Sequence, residues 1–411
     1  MAKRRGNGCP DRQRPPRSAS ALLLGLALLG IGLRTIDAGA QALPYRNGSP
    51  FIPDTILLAE RTAPWSYTIA PSASPVALST RAPNAREVRV IERARALLAA
   101  HDARAIALVD GRDIVHIEYK APATDASWYF SASVAKTVTS MAVGQAICAG
   151  KLKLEDRADA LVPELAGKPL GKATVRDLLR MASGTAEPDN PACPSCGNML
   201  TAEDFKLWNA GTLDLGVVLA RDDIARAGRN FLVDQQPGER FVYKATDPLL
   251  LGIIVSRATG MPYARWAQRA VFDPMGTTRP GRMMQNKLQQ VMSDTGIRLH
   301  IDDWIRFAWW VNQATRSEGC FGDYVRQATR MQIANGTSPK TRRTGGYFGG
   351  YGYFVWTDNQ LVPKSYWAAG YGGQRIGWNH ENTRMIVVFS NQEDWMGDLY
   401  ALYRDWITAA D

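Results

Sequence analysis

Histidine is scarce in this sequence: His101, His116, His300 and His380 are the four in 411 residues, and each is isolated. None is spaced to form a ligand pair, and the GxSxG signature with a downstream histidine is absent, so neither a histidine-rich zinc site nor that type of serine hydrolase is written here. Cysteine is also sparse, five in all. Cys193 and Cys196 form a CxxC in a Pro/Gly-rich loop, without the second ligand pair of a zinc site or the helix start of a redox centre. Cys148 and Cys320 stand alone, and the four cysteines that follow Cys9 are expected to form one or two structural disulfides in an oxidising compartment. No cofactor and no metal is expected. A Lys/Arg stripe is missing as well. Half of the net charge of +10 lies in residues 1–42, which carry seven Lys/Arg and two Asp, and the mildly basic remainder predicts no nucleic-acid partner. No segment repeats at a fixed period.

Long apolar runs are missing with one exception. ALLLGLALLGIGL, residues 21–33, follows Lys3, Arg4, Arg5, Arg12, Arg14 and Arg17 and is too short for a comfortable membrane span. Small residues at 38–40 (AGA) and 40–42 (AQA) offer cleavage sites. Residues 1–42 therefore read as an export signal, with an uncleaved N-terminal anchor as the rival and the only expected membrane contact. The expected location is periplasmic, or anchored on the outer side of the cytoplasmic membrane. Arg4 and Arg5 hint at twin-arginine export, but no hydrophobic motif follows them.

What remains is ordinary for a globular enzyme, with 45% hydrophobic and 21% charged residues. Residues 43–86, rich in Pro, Ser and Asn, read as an extended arm. Residues 87–100 have the spacing of an amphipathic helix, and 105–110 with 113–119 form a hairpin around Gly111 and Arg112. A buried helix is predicted from about Ser133 to Ala149. Helical patterns then dominate a middle region, about 151–300, and 301–314 is another strong helix. Strands are predicted at 351–356, 365–371, 375–379 and 384–390, before a closing helix. Strands at both ends with helices between them imply one α+β sheet closed by distant segments.

Within this frame, FSASVAKTVTSM (130–141) places Lys136 three residues after Ser133, on the same helix face. A cation in the first turn meets the positive end of the helix dipole, and apolar surroundings add a desolvation cost. Both effects favour a neutral amine able to take the Ser133 proton, while the helix start favours an oxyanion beside it. With 19 Ser and 12 Lys in 411 positions, a chance SxxK match is expected about half the time, so the motif alone is weak. The bland alternative is a capping serine followed by a lysine that snorkels to water.

Four segments in order carry more weight: FSASVAKTVTSMAVGQAICAGKLKLED, ATVRDLLRMASGT (173–185), GERFVYKATDPLLLGIIVSRATGMPY (238–263) and AAGYGGQRIGW (368–378). Together they resemble the landmarks of the serine β-lactamase and penicillin-binding-protein superfamily. The resemblance is to its class C-like branch, with esterases and 6-aminohexanoate-dimer hydrolases, and it covers residues 87–411. It implies a β-lactamase/transpeptidase-like α+β fold, with an antiparallel sheet flanked by helices and an inserted, mostly helical region. It further implies that Ser133 is the acylated nucleophile, Lys136 its base and Tyr243 the tyrosine that passes the proton to the leaving group. Ala368, Ala369 and Gly370 would form the substrate strand, with the N–H groups of Tyr371 and Ser133 as the oxyanion hole. Two positions depart from the pattern. Ala245 replaces the Asn or Ser of the second motif, and Ala368 replaces the Lys or His that usually opens the third.

The expected function is exported hydrolysis of a small-molecule ester or amide through an acyl-enzyme. The alternatives are D,D-peptidase or β-lactamase activity, or a catalytically silent peptidoglycan- or peptide-binding homologue. Eight of the 12 Trp lie beyond residue 300 and are assigned mainly to packing, with Trp367 and Tyr371 as candidate pocket walls. Lys244 is expected to be solvated or salt-bridged, Gln374 to hold a turn, and Arg375 to begin the next strand and face away from the site. Gly370 and Gly372 are expected where substrate lies against the backbone.

Overall fold

The computed structural model describes residues 45–46, 49–60, 65–185, 202–221, 236–335 and 346–409. The N-terminal arm is woven into the fold. β1 (Tyr45–Arg46) pairs with β2 (Ser49–Pro50), β3 (Tyr67–Ile69) enters a four-stranded sheet, and β4 (Ser79–Thr80) lies parallel to a strand of the nine-stranded main sheet. Asn84 then starts the first long helix, Ala85–Ala100. Its side chain accepts from the Arg86 and Glu87 N–H groups while Glu87 accepts from the Asn84 N–H, a complete capping box. Val90, Ile91, Ala94 and Leu98 form the buried stripe expected from the apolar spacing, whereas Val88, part of the same spacing, is exposed and Leu97 is half-buried.

The hairpin is β5 (Ala103–Asp110) and β6 (Asp113–Tyr119), turned by Gly111 at φ +61°. β7 (Tyr129–Phe130), β8 (Gly281–Met283) and β9 (Ile297–Leu299) complete the smaller sheet in the order β3-β8-β9-β7. The main sheet takes its other strands from the C-terminal third: β10 (Ile333–Ala334), β11 (Phe348–Tyr351), β12 (Trp356–Asn359), β13 (Ser365–Gly370), β14 (Gln374–Asn379) and β15 (Arg384–Ser390). Its order is β10-β11-β12-β13-β14-β15-β5-β6-β4, so the last strand pairs with the first hairpin, antiparallel from Arg384↔Asp110 to Ser390↔Ala103. Strands from opposite ends of the chain thus close one sheet.

β15 is buried along its whole length because both faces are covered. Arg384 on one face meets Glu87 of the first helix and lies over Trp406 of the last, Met396–Thr408. Phe389, on the other face by strand alternation, packs on Trp304 of the Ile301–Ala314 helix.

Two expectations change. Residues 351–356 are not one strand: β11 ends at Tyr351, Phe354 adopts φ +54°, and β12 starts at Trp356. A Cβ on Gly352 would lie 1.9 Å from the Ala328 carbonyl oxygen, so the backbone is pressed into a turn there, however strand-like its aromatic side chains look. The region 151–300 contains helices such as Val175–Leu179 and Thr246–Thr259 but also contributes β8 and β9. The predicted hairpin, the 301–314 helix and the 384–390 strand are found where their patterns placed them.

Candidate active site

The Val134–Cys148 helix carries the site. It is apolar on nearly all sides and buried accordingly, with Val134, Ala135, Val138, Met141 and Ala142 inside. Cys148 at its end is disulfide-bonded to Cys320, 172 residues on, and Gly144 accommodates the Tyr324 ring, which a Cβ would meet at 2.3 Å. The two cysteines that stand alone in the sequence are therefore partners. Cys193 and Cys196 lie outside the described residues.

The helix is entered through Ala132 at φ +42°, a left-handed conformation that costs a non-glycine residue about 1–2 kcal/mol. Ser131 secures this turn. Its N–H donates to the Ile297 carbonyl (2.8 Å), its hydroxyl donates to the Thr295 carbonyl (2.7 Å), and its Oγ accepts from the Ile297 N–H (3.1 Å). Ser133 follows at the N-cap position, half-buried, and its side chain caps nothing. Its Oγ instead accepts from Lys136 Nζ at 3.0 Å. Lys136 is 3% exposed, so it does not snorkel, and the bland alternative fails on both counts. The Ser133 N–H makes no hydrogen bond among the described residues.

Lys136 Nζ also donates to the Asp294 carbonyl at 3.1 Å, stands 3.7 Å from Asp294 Oδ2, and lies 5.2 Å from the centre of the Tyr243 ring. Burial pushes the Asp294 carboxyl up from its ordinary value, and the nearby Lys136 opposes that rise. The sequence reading placed only burial and the helix dipole on Lys136, and missed this carboxylate. Its segment, Ser293-Asp294-Thr295-Gly296, has the composition of any polar turn.

Tyr243 is half-buried, stacked on Trp356 at 5.4 Å and edge-on to Tyr351 at 6.2 Å, which fixes its ring beside Lys136. Lys244 turns inward. It donates to the Thr185 carbonyl at 2.8 Å and stands 3.5 Å from Asp247 Oδ2, whose other oxygen accepts from Ser183 Oγ at 2.7 Å. Burial raises Asp247 to about 6 against the pull of Lys244. Lys244 is therefore the salt-bridged side chain of the two forms expected, and it is buried.

β13 pairs with β14 from Ser365 to Gly370, but with β12 only at Trp356↔Trp367. The far edge of Ala368–Gly370 has no strand partner among the described residues and runs beside the Ser133 turn. A Cβ on Gly370 would lie 2.6 Å from the Ser131 carbonyl oxygen and 3.1 Å from Ala132 Cβ. Glycine is required there by the approach of that turn. Gly372, at φ +76°, meets Ile52 of the arm in the same way. Tyr371 is half-buried between these two glycines.

Other expectations divide. Trp367 is no pocket wall: it is fully buried on the opposite face of β13, against Tyr400 (4.8 Å) and Tyr403 (5.0 Å). Gln374 holds the turn, its Nε2 donating to the carbonyls of Tyr371 (3.0 Å) and Ser390 (2.7 Å). Arg375 is the second residue of β14, which begins one residue earlier than expected, and faces away from the site, donating to the Gly370 carbonyl, Tyr400 OH and Glu393 Oε2. No group of three or more His, Cys, Asp or Glu suited to a metal occurs among the described residues.

Half-buried Ser133 and buried Lys136 thus meet at a helix start beside the open edge of the main sheet. Residues 90–410 match the model of the Beta-lactamase family, and the chain belongs to that family. A protein of Escherichia coli (strain K12), provisionally named a D-alanyl-D-alanine carboxypeptidase, is 31% identical over 172 residues, 40% of this chain and 36% of that protein. The match thus spans little more than a third of that relative's length. Among solved structures, one from Bacillus anthracis, provisionally titled a 6-aminohexanoate-dimer hydrolase, superposes with a TM-score of 0.58 at 17% identity over 84% of this chain and 89% of that one. EstCE1, described as a hydrolase with promiscuous acyltransferase activity, gives 0.59 at 15% identity over 78% and 98%. At such identities the structural likeness concerns the fold.

Proposed function

We propose that this β-lactamase-family protein is an exported serine hydrolase that cleaves an ester or small amide through an acyl-enzyme on Ser133. The supporting observation is the 3.0 Å contact between Lys136 Nζ and Ser133 Oγ inside a buried helix start. In the free-amine form Lys136 takes the hydroxyl proton as Oγ bonds to the substrate carbonyl carbon. The carbonyl oxygen becomes an oxyanion facing the N–H groups of Ser133 and Tyr371. Tyr243 relays the proton to the departing alcohol or amine as the bond to carbon breaks, and water then releases the acid and restores Ser133. The intact serine–lysine contact argues against a silent binding homologue. Incubation with a fluorophosphonate should add one adduct to the intact protein, on Ser133. An unmodified mass would refute the mechanism.

A D,D-peptidase is the second reading, favoured by the name of the Escherichia coli relative.

Gly370 provides a further test. In Gly370→Ala the new methyl must displace the Ser131–Ala132 turn, and a shift near 1 Å at a reacting group costs on the order of 100-fold in rate. Fluorophosphonate labelling of Ser133 should slow accordingly in the folded variant, and an unchanged rate would show that the turn is not part of the machinery.

Export is supported by the basic segment followed by 21–33 and by the Cys148–Cys320 bond, which suits an oxidising compartment. The mature chain should begin near Gln41 or Leu43. Soluble cytosolic protein retaining Met1 would contradict this.

A further inference from the structure

We infer that Asp294 is a positioning residue for Lys136, holding the lysine against Ser133 through its side-chain charge; this rests on the acyl-enzyme mechanism above.

The segment containing Asp294 is held without its carboxylate. Three successive carbonyls accept from the entry and first turns of the Val134–Cys148 helix: Ser293 from Thr139 Oγ1 (2.7 Å), Asp294 from Lys136 Nζ (3.1 Å) and Thr295 from Ser131 Oγ (2.7 Å). Ser293 Oγ donates to the Pro248 carbonyl at 2.9 Å and fastens the other side. These bonds fix the loop through its backbone and the Ser293 hydroxyl, so loop placement does not need an acid at 294.

The acid is nevertheless costly. Asp294 is 9% exposed, and its Oδ1 is buried with no hydrogen-bond partner. A buried carboxylate with an unmet oxygen destabilises the fold unless it serves a charge nearby. The positive group beside it is Lys136, 3.7 Å from Oδ2. Also facing Lys136 are Ser133, at the start of its own helix, and, from another segment, Tyr243, whose ring is 5.2 Å away. Tyr243 itself packs on Tyr351, and the adjacent Lys244 is occupied by Asp247. Asp294 is thus the carboxylate in contact with Lys136. The ammonium produced when Lys136 takes the Ser133 proton would have its counter-charge already in place, and the carboxylate and carbonyl together aim Nζ at Oγ.

Asp294→Asn keeps the shape and the backbone carbonyl but removes the charge. Losing an opposite charge disfavours the protonated form of a base, so the acidic limb of kcat/KM should move to lower pH. The plateau kcat should fall about tenfold through a weaker, less constrained base, with KM nearly unchanged. A merely structural role would lower thermal stability and leave the limb in place. Asp294→Glu, which restores the charge one methylene further out, should return the limb to its original pH while kcat stays reduced; it decides the matter if the Asn variant does not fold. A limb and kcat unchanged in Asp294→Asn, or a limb still displaced in Asp294→Glu, would overturn the assignment while fluorophosphonate still labels Ser133. Failure of the wild-type protein to label would overturn the mechanism beneath it.

Discussion

Ser133→Ala should abolish turnover and leave thermal unfolding nearly in place, because the half-buried hydroxyl contributes one hydrogen bond, from Lys136. Lys136→Ala should be equally inactive but less stable. It leaves the Asp294 carboxyl buried without its partner, a loss of up to about 3–5 kcal/mol, reduced to the extent that the acid takes up a proton once Lys136 no longer opposes the upward push of burial. Each substitution should lower kcat by about 10⁴-fold or more, and the double variant should be no worse than either single one, since residues acting as a unit are not additive. The measurements are steady-state kinetics on an activated ester and calorimetry on the three variants. Turnover by Ser133→Ala would end the acyl-enzyme mechanism. A Lys136→Ala protein with full activity would remove lysine as the base and leave Tyr243 as the candidate.

Short acyl esters and uncharged amides should be hydrolysed faster than penicillins or D-Ala-D-Ala peptides. In the relatives that the sequence resembles, a cation opening the third motif helps to receive the substrate carboxylate. A charge-assisted contact in a dry pocket is worth roughly 1.5–3 kcal/mol, or about one to two powers of ten in kcat/KM. Here the position is Ala368, fully buried and on the same face of β13 as Gly370. Arg375, the nearest cation in sequence, cannot substitute. It is buried, and its guanidinium is committed to Glu393, Tyr400 and the Gly370 carbonyl. Removing it would expose the need of Glu393, already pushed up by burial, for a partner, so Arg375→Ala should cost stability without altering substrate preference. Side-by-side kcat/KM for p-nitrophenyl butyrate, a 6-aminohexanoate dimer, nitrocefin and a D-Ala-D-Ala peptide tests the order, with Ala368→Lys expected to narrow the gap. Faster turnover of nitrocefin or the dipeptide would show that another group receives the carboxylate and that the peptidase reading is correct.

Where local pattern dominates, sequence and structure agree. The apolar periodicity of 87–100 and of 301–314 and the alternating or continuous apolar runs of the hairpin and of 384–390 each specify their element without outside help. The aromatic run 351–356 misleads because its side chains suit a strand while the close approach of Ala328 to Gly352 forces a turn. The spacing of Ser133 and Lys136 is likewise local: three residues on a helix put both side chains on one face wherever that helix goes.

Sequence alone determined the first hairpin, the long helices, the last three strands, the serine–lysine pair and the family's landmarks, because these rest on periodicity and short spacing. Tertiary structure decided what surrounds the pair. Asp294 reaches Lys136 across 158 positions of sequence, Cys148 finds Cys320 across 172, and Gly370 is glycine because a turn more than two hundred residues earlier lies against it. Charge pairing, disulfide choice and steric contact depend on distance in space, and no local pattern in the chain encodes which distant segment the sheet will bring alongside.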